Sequence, residues 1–256
     1  MAYNLIIDQG NSRAKVAVFR QRELIEQWYF NQLAAADIDL ITRRYPVESA
    51  IYCSVACHGE EIIVALRKTA KRVYELTSML PLPIKLDYST PVTLGRDRIA
   101  AAAGAAGLYP GRKVLVVDAG TAVTYDLLSP DSHFIGGSIA PGLWMRARSL
   151  HLLTKRLPEV DAENNPQQLP RWADTTTDAI RNGVMRGVAA EIIYHAAMAG
   201  DDVITVLTGG DASTIARIID PESDLPTGPK LNSEFIVDPD IVTKGLNSIL
   251  LYNEPD

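Results

Sequence analysis

At 256 residues, 47% of them hydrophobic, the chain can bury one large core or two modest ones. A net charge of −6 with no basic run gives nucleic acid no electrostatic footprint, so a nucleic-acid partner is not expected. No apolar stretch reaches the roughly 20 residues that span a bilayer, and no signal-type segment opens the chain, so a cytoplasmic protein without a membrane partner is expected.

In chain order, the apolar run Leu5-Ile-Ile7 leads into Asp8-Gln-Gly-Asn-Ser-Arg-Ala-Lys15 and then into further apolar residues. This reads as strand, tight glycine turn, returning strand. Residues 37–45 have helical character, 51–55 read as a strand, and 60–73 alternate charged and apolar residues at helical spacing. Pro81 and Pro83 break the pattern before a short strand over 84–87, and an alanine-rich helix follows over 99–108 until Pro110-Gly111 ends it. The second half restarts at Lys113 with Val114-Leu-Val-Val117, placing a domain boundary near residue 112 and two domains over 1–112 and 113–256. A glycine-proline turn over 136–142 precedes a helix over 143–157, an exposed loop over 158–170 and a long helix over 175–199. Gly183, Gly187, Ala190 and Ala197 give that last helix a face of small residues that admits a close neighbour. A strand over 203–207 ends on Thr208-Gly209-Gly210, where a flat adenine or ribose would approach backbone. A loop over 220–233 and a terminal helix over 242–252 close the chain. Alternation of strand and helix points to an α/β layer architecture.

Cys53 and Cys57, with only His58 beside them, form neither a zinc site nor a disulfide framework, and reduced buried thiols are expected. His133, His151 and His195 lack any ligand spacing.

The chemistry starts from a repetition. Asp118-Ala-Gly-Thr-Ala-Val-Thr124 stands 110 residues after Asp8 in the same context of apolar strand, glycine turn and apolar continuation. One Asp-x-Gly is an ordinary hairpin turn. Two with matched flanks indicate a duplicated unit. Gly10 and Gly120 can take positive φ and let backbone N–H groups come close to phosphate, with Asn11, Ser12 and Thr121 as added hydrogen-bonding groups. A carboxylate beside phosphate needs a cation between them, so Asp8 and Asp118 read as cation-side residues. Walker and Rossmann glycine patterns are absent. A duplicated hairpin site resembles the actin, sugar-kinase and heat-shock ATPase superfamily, which implies a duplicated actin-like (ribonuclease H-like) ATPase fold of two subdomains, each a mixed sheet flanked by helices.

Gly95-Arg96-Asp97-Arg98 places a carboxylate between two guanidiniums at a helix start, where charge and helix dipole favour its ionised form. It reads either as a general base or as a helix cap with solvated arginines. Tyr88, seven residues earlier, is placed to line a small pocket.

The ordered set Asp-x-Gly-Asn-Ser-x-x-Lys, Gly-x-Asp-Arg, Asp-x-Gly-Thr-Ala-x-Thr, Gly-Gly-x-Ile-x-Pro-Gly, Thr-x-x-Ala-Ile-x-x-Gly and Thr-Gly-Gly resembles type III pantothenate kinase across essentially the whole chain, to Pro239-Asp-Ile-Val-Thr-Lys-Gly-Leu246. The resemblance implies phosphorylation of pantothenate by ATP with Mg²⁺, in the first step of coenzyme A biosynthesis. It puts ATP at Asp8, Gln9, Gly10, Asn11, Ser12, Arg13, Ala14, Lys15 and Thr121, and pantothenate at Tyr88, Gly95, Arg96, Asp97, Arg98 and Thr176. Asp97 becomes the general base and Asp118 the ligand of a monovalent cation, potassium or ammonium. Thr176 would act from the neighbouring subunit of a homodimer. Arg96 stands where the family pattern has a small residue. Two rival readings are another small-molecule kinase of the superfamily and a nucleotide-binding accessory protein. The acceptor motif at Gly95–Arg98 weighs against the first, and joint retention of Asp8, Lys15, Asp97 and Asp118 against the second.

Overall fold

The computed structural model describes residues 2–11, 13–54, 59–77, 79–161, 169–220 and 234–255. Contacts group them into a first unit of residues 1–111, 131–135 and 240–256, and a second of 112–130 and 136–239.

In the first unit β1 (Tyr3–Gln9) and β2 (Ala14–Arg20) form the expected hairpin, and β3 (Glu23–Phe30) continues the meander. Helix α1 (Ala35–Arg44) returns the chain to β4 (Val47–Ser54), parallel to β1 on its other side. Helix α2 (Glu60–Thr69) leads to β5 (Arg72–Glu75), parallel to β4, giving the order β3-β2-β1-β4-β5. Leu5, Ile6 and Ile7 are all fully buried, because both faces of the central strand are covered. That double burial is why β1 reads as a continuous apolar run instead of an alternating one. The helix expected to reach residue 73 stops at Thr69, where the chain extends into β5.

β6 (Lys85–Leu86) is a two-residue strand, and α3 (Arg96–Leu108) begins three residues earlier than its alanine run suggests. The second unit then builds β7 (Val114–Ala119), β8 (Ala122–Leu128) and β9 (His133–Pro141). The first residues of β9, His133 and Phe134, pair with β6 within the first unit. Helices α4 (Leu143–Leu153) and α5 (Thr176–Ala199) precede β10 (Ile204–Thr208), α6 (Ala212–Ile219) and β11 (Glu234–Val237). The order β11-β10-β7-β8-β9 repeats that of the first sheet, hairpin for hairpin and parallel strand for parallel strand. The duplication read from two short motifs therefore extends to five strands.

The terminal helix α7 (Ile241–Asn253) follows the second sheet in sequence but groups with the first unit, a departure from a single boundary near 112. Its packing on α3 explains this. A Cβ on Gly104 would strike the carbonyl oxygen of Ile241, and one on Gly245 would strike that of Ala100. The two backbones touch, which only glycine permits at these two positions, and Ile241, Leu246, Ile249 and Leu250 are buried around the contact.

Candidate functional site

Asp8, one residue before the end of β1, is in register with Lys15 on β2 and Cys53 on β4, so the three side chains share one face of the sheet. Burial, then the nearby charge of Asp97, push the Asp8 carboxyl from its ordinary 3.8 up to about 6, against the opposing pull of Lys15. Burial, then the same two carboxylates, also raise the Cys53 thiol well above its usual range, with Arg96 opposing. Cys53 is a buried, unreactive thiol, as expected; Cys57 and His58 lie outside the described residues. Asp8, Lys15, Arg96 and Asp97 thus form one electrostatic neighbourhood.

The turn after β1 closes through Gly10 N–H donating to the Arg13 carbonyl at 3.0 Å. Neither Gly10 nor Gly120 uses its freedom to take a positive φ; near the hairpins that conformation falls at Gly209, with φ of 93°. The first turn is tight for another reason, since a Cβ on Gly10 would lie 3.2 Å from the Arg13 carbonyl oxygen. Asn11 and Arg13 are exposed, and Ser12 lies outside the described residues. Ala14 is 2% exposed within the core, so any ligand contact it makes runs through its backbone. Gln9 presents a buried Oε1 with no hydrogen-bond partner among the described residues. Lys15 is anchored by Asp240, 3.2 Å away at the start of α7, and its ammonium lies 5.1 Å from the centre of the Tyr29 ring.

Asp97 sits in the first turn of α3, where its Oδ1 accepts a hydrogen bond from Arg98 N–H at 2.9 Å. Gly95 makes room for it, since a Cβ there would lie 2.6 Å from that oxygen. Gly95 is the N-cap and receives no side-chain cap, so this bond within the first turn is what fixes the rotamer of the carboxylate beside Asp8. The arginines are placed more specifically than the motif suggested. Arg98 is buried, with its guanidinium 5.9 Å from the Tyr88 ring and 5.7 Å from the Phe134 ring, which meet edge to face. Arg96 reaches the Ser54 carbonyl at 3.5 Å and Glu75 at 3.9 Å, so its extra charge is engaged at the ends of β4 and β5.

In the second unit, Asp118 pairs across its hairpin with Thr124. A Cβ on Gly209 would come 2.5 Å from Asp118 Oδ1 and strike the Ala119 carbonyl, so the positive-φ glycine after β10 lies directly on the hairpin. Asp211 N–H donates to the Ala119 carbonyl at 3.0 Å, and Gly142 N–H to the Thr121 carbonyl at 3.0 Å. The Thr-Gly-Gly and Pro-Gly turns, read from sequence as separate features, both close on the second hairpin. A carboxylate among backbone carbonyl oxygens is a hard-oxygen environment of the kind that suits a simple cation. Among the described residues no cluster of three or more His, Cys, Asp or Glu forms a protein-only metal site.

Thr176 is the first residue of α5, after Thr175, whose hydroxyl accepts from Asp178 N–H at 3.1 Å as an N-cap. It lines a cavity of about 470 Å³ with Arg146, Ile180 and Gly183. Arg146 grips Glu191 bidentately at 2.8 and 2.6 Å, and Tyr125 donates to the same carboxylate at 2.8 Å. Burial alone would raise Glu191, but these donors hold it below the usual carboxylate range; burial and Glu191 together raise Tyr125. Nothing in the local sequence signals this network, whose members come from β8, α4 and α5.

The sequence model of the type III pantothenate kinase family matches residues 4–197. A type III pantothenate kinase of Bacteroides fragilis is 40% identical over 253 residues, covering 98% of each chain. Among solved structures, a Campylobacter jejuni protein described as belonging to the Baf family of transcriptional activators aligns with a TM-score of 0.62 at 25% identity, over 97% of this chain and 98% of that one. A glucokinase from an Antarctic psychrotroph aligns with a TM-score of 0.51 at 10% identity, over 99% and 100% of the two chains, and so shares the fold alone.

Proposed function

Because the chain belongs to the type III pantothenate kinase family, and so transfers the γ-phosphoryl group of ATP to pantothenate with a divalent metal in coenzyme A biosynthesis, we propose that Asp97 is its general base. The observation that carries this is the placement of Asp97, held by its own helix within electrostatic reach of Asp8. Phosphoryl transfer asks a protein mainly to align the nucleophile and to neutralise spreading negative charge. Asp97 orients the pantothenate primary hydroxyl and takes its proton late. Tyr88 and the Gly95–Arg98 turn bind the acceptor, with Arg98 steadied by its aromatic seat.

The first hairpin binds ATP. Its fit rests on the unpartnered buried Gln9 Oε1, on Lys15 held by Asp240, and on an Asp8 carboxylate whose pKa stays raised because the positive charge of Lys15 does not offset burial and Asp97. When bound, the divalent metal supplies that charge beside the phosphates, which suits an ion that takes one or two carboxylates and completes its shell with phosphate and water. Thr121 contributes a phosphate contact, and Asp118 holds a monovalent cation, potassium or ammonium. A coupled ADP-release assay with pantothenate, pantetheine and several sugars, each with and without potassium, tests acceptor and cation together. ADP release with a sugar and none with pantothenate would overturn the acceptor assignment. We place the enzyme in the cytoplasm, in keeping with its acidic charge and with the finding that no described helix is long and apolar enough to cross a membrane.

The active unit we propose is a homodimer in which Thr176 of one subunit reaches the acceptor site of the other. Gly183, Ala190, Tyr194, Ala197 and Met198 are all exposed on α5, and a Cβ on Gly183 would meet no atom within 4 Å. Packing within the chain does not demand these small residues, although glycine inside a helix is unfavourable. Trp144, Leu152 and Leu153 on α4 add exposed apolar surface, Leu153 at 84%. Mixing inactive Asp97→Asn subunits with inactive Thr176→Trp subunits should restore about a quarter of wild-type activity, since half the dimers are mixed and each carries one intact site. No recovery after verified subunit exchange would dismiss the shared site and leave the kinase assignment standing.

A further inference from the structure

Past their backbone contact, α3 and α7 line a cavity of about 320 Å³ within the first unit, together with Phe19 of β2 and Pro83. Gly104 is explained by its collision course with the Ile241 carbonyl. Gly107, one turn further along the same alanine-rich helix, is not, because a Cβ there would meet only Ser248 Oγ at an ordinary 3.7 Å. Glycine is the poorest helix former after proline, so this position gives up helix stability without a packing reason. What it does achieve is an open cavity wall. Leu108 and Tyr252, also in the lining, remain 42% and 57% exposed, leaving apolar surface uncovered.

Charge narrows the occupant. Arg22 and Lys244 contribute to the lining and no Asp or Glu does, in a chain whose net charge is −6. Neutral donors are present as well, with Ser248 beside Gly107. We propose that this cavity is a second ligand site, which takes a small organic anion: an apolar body of aromatic or branched aliphatic kind carrying one carboxylate. Phe19, Leu251 and Tyr252 receive the apolar body, and the two cations receive the charge. The volume lies at the small end of the usual range for ligand pockets, about 300–1,000 Å³, which suits a molecule of phenylacetate size.

Phenylacetate is the probe, titrated into the full chain at saturating pantothenate with binding read by ligand-observed NMR, so the outcome does not depend on the assignment of Asp97. A dissociation constant on the order of a millimolar is expected for so small a ligand. The neutral isostere phenylacetamide should bind at least tenfold more weakly. Gly107→Leu should fill the cavity, melt no lower than wild type because leucine is the better helix former, and weaken phenylacetate at least tenfold. Lys244→Met gives an independent check, with affinity expected to fall several-fold. The proposal is overturned by absence of phenylacetate binding to the folded wild-type chain, by equal affinity for the amide, by displacement by pantothenate, or by unchanged affinity in both variants. Should Gly107→Leu fail to fold, unchanged affinity in Lys244→Met alone overturns it.

Discussion

The two hairpins share a strand order and a motif, yet they carry their acidic residue in opposite electrostatic settings. In the first, four residues separate the last pair, Gln9 with Ala14; in the second, three separate Ala119 from Val123. This one-residue difference changes what faces the carboxylate. Asp8 pairs with Lys15, a cation already fixed by Asp240, whereas Asp118 pairs with Thr124, which carries no charge. The first copy has a positive charge built into the chain beside it. The second has an uncharged cross-strand neighbour, which is the physical motive for assigning it an external monovalent cation. Two copies of one turn have thus diverged by the register of their return strand.

The largest expected effect probes the neighbour that burdens the first hairpin. Asp97→Asn keeps a side chain able to accept from Arg98 N–H but removes the proton acceptor, so kcat should fall by roughly 10²–10⁴ with ATP affinity nearly unchanged. A variant turning over at near wild-type rate would reduce Asp97 to a helix cap. A smaller effect is expected at the second hairpin: replacing potassium by tetramethylammonium at constant ionic strength should lower kcat/KM for ATP by about tenfold, a coupling of ~1.4 kcal/mol. Asp118→Asn should flatten that response. Equal activity in both salts would remove the asymmetry between the copies.

The sharper experiment transplants the difference. Thr124→Lys places at the second hairpin the ammonium that Lys15 supplies at the first, and should shrink the potassium response to a few-fold or less. If the variant binds ATP but keeps a full potassium response, the cross-strand partner is not what distinguishes the hairpins.

Much of this was legible in the chain because it is local. Both hairpins, the long helix from Thr176 and the first turn of α3 depend on apolar runs, glycines and, for the long helix, a cap within a few residues. What sequence did not show is set by distant partners. Lys15 meets Asp240 from 225 positions away, and Arg98 finds half of its aromatic seat in Phe134. The apolar face of α7 announces burial without saying against what, so its place on α3 emerged only from the glycine contacts. The register difference was hidden as well, since both motifs read Asp-x-Gly and only the pairing reveals where each return strand begins. The four-residue strands β5 and β11 are too short and too incompletely buried to stand out from composition.

The smallest expected effect concerns stability, and it tests whether the first hairpin is under electrostatic load when no ligand is bound. Burial and Asp97 raise the folded-state Asp8 carboxyl to about 6, above the ordinary 3.8. Below pH 3.8 both folded and unfolded chains hold the proton and Asp8 contributes no difference. Between there and about 6 the folded chain holds a proton that the unfolded chain has released, so stability falls as pH rises, and above about 6 the whole cost is present. Its ceiling is ~3 kcal/mol, reduced in practice because Asp8 keeps partial access to solvent that screens its charge. Asp8→Asn removes that charge, so the ligand-free variant should melt on the order of 3–6 °C above wild type at pH 8, with the gain disappearing near pH 4. Its nucleotide binding should weaken at the same time, because a cation-side carboxylate has been lost. Thermal melts of both proteins across pH 4–8 check this. A variant no more stable than wild type at pH 8 would mean that Lys15, braced by Asp240, already neutralises the first hairpin, and the contrast between the two copies would then rest on the second alone.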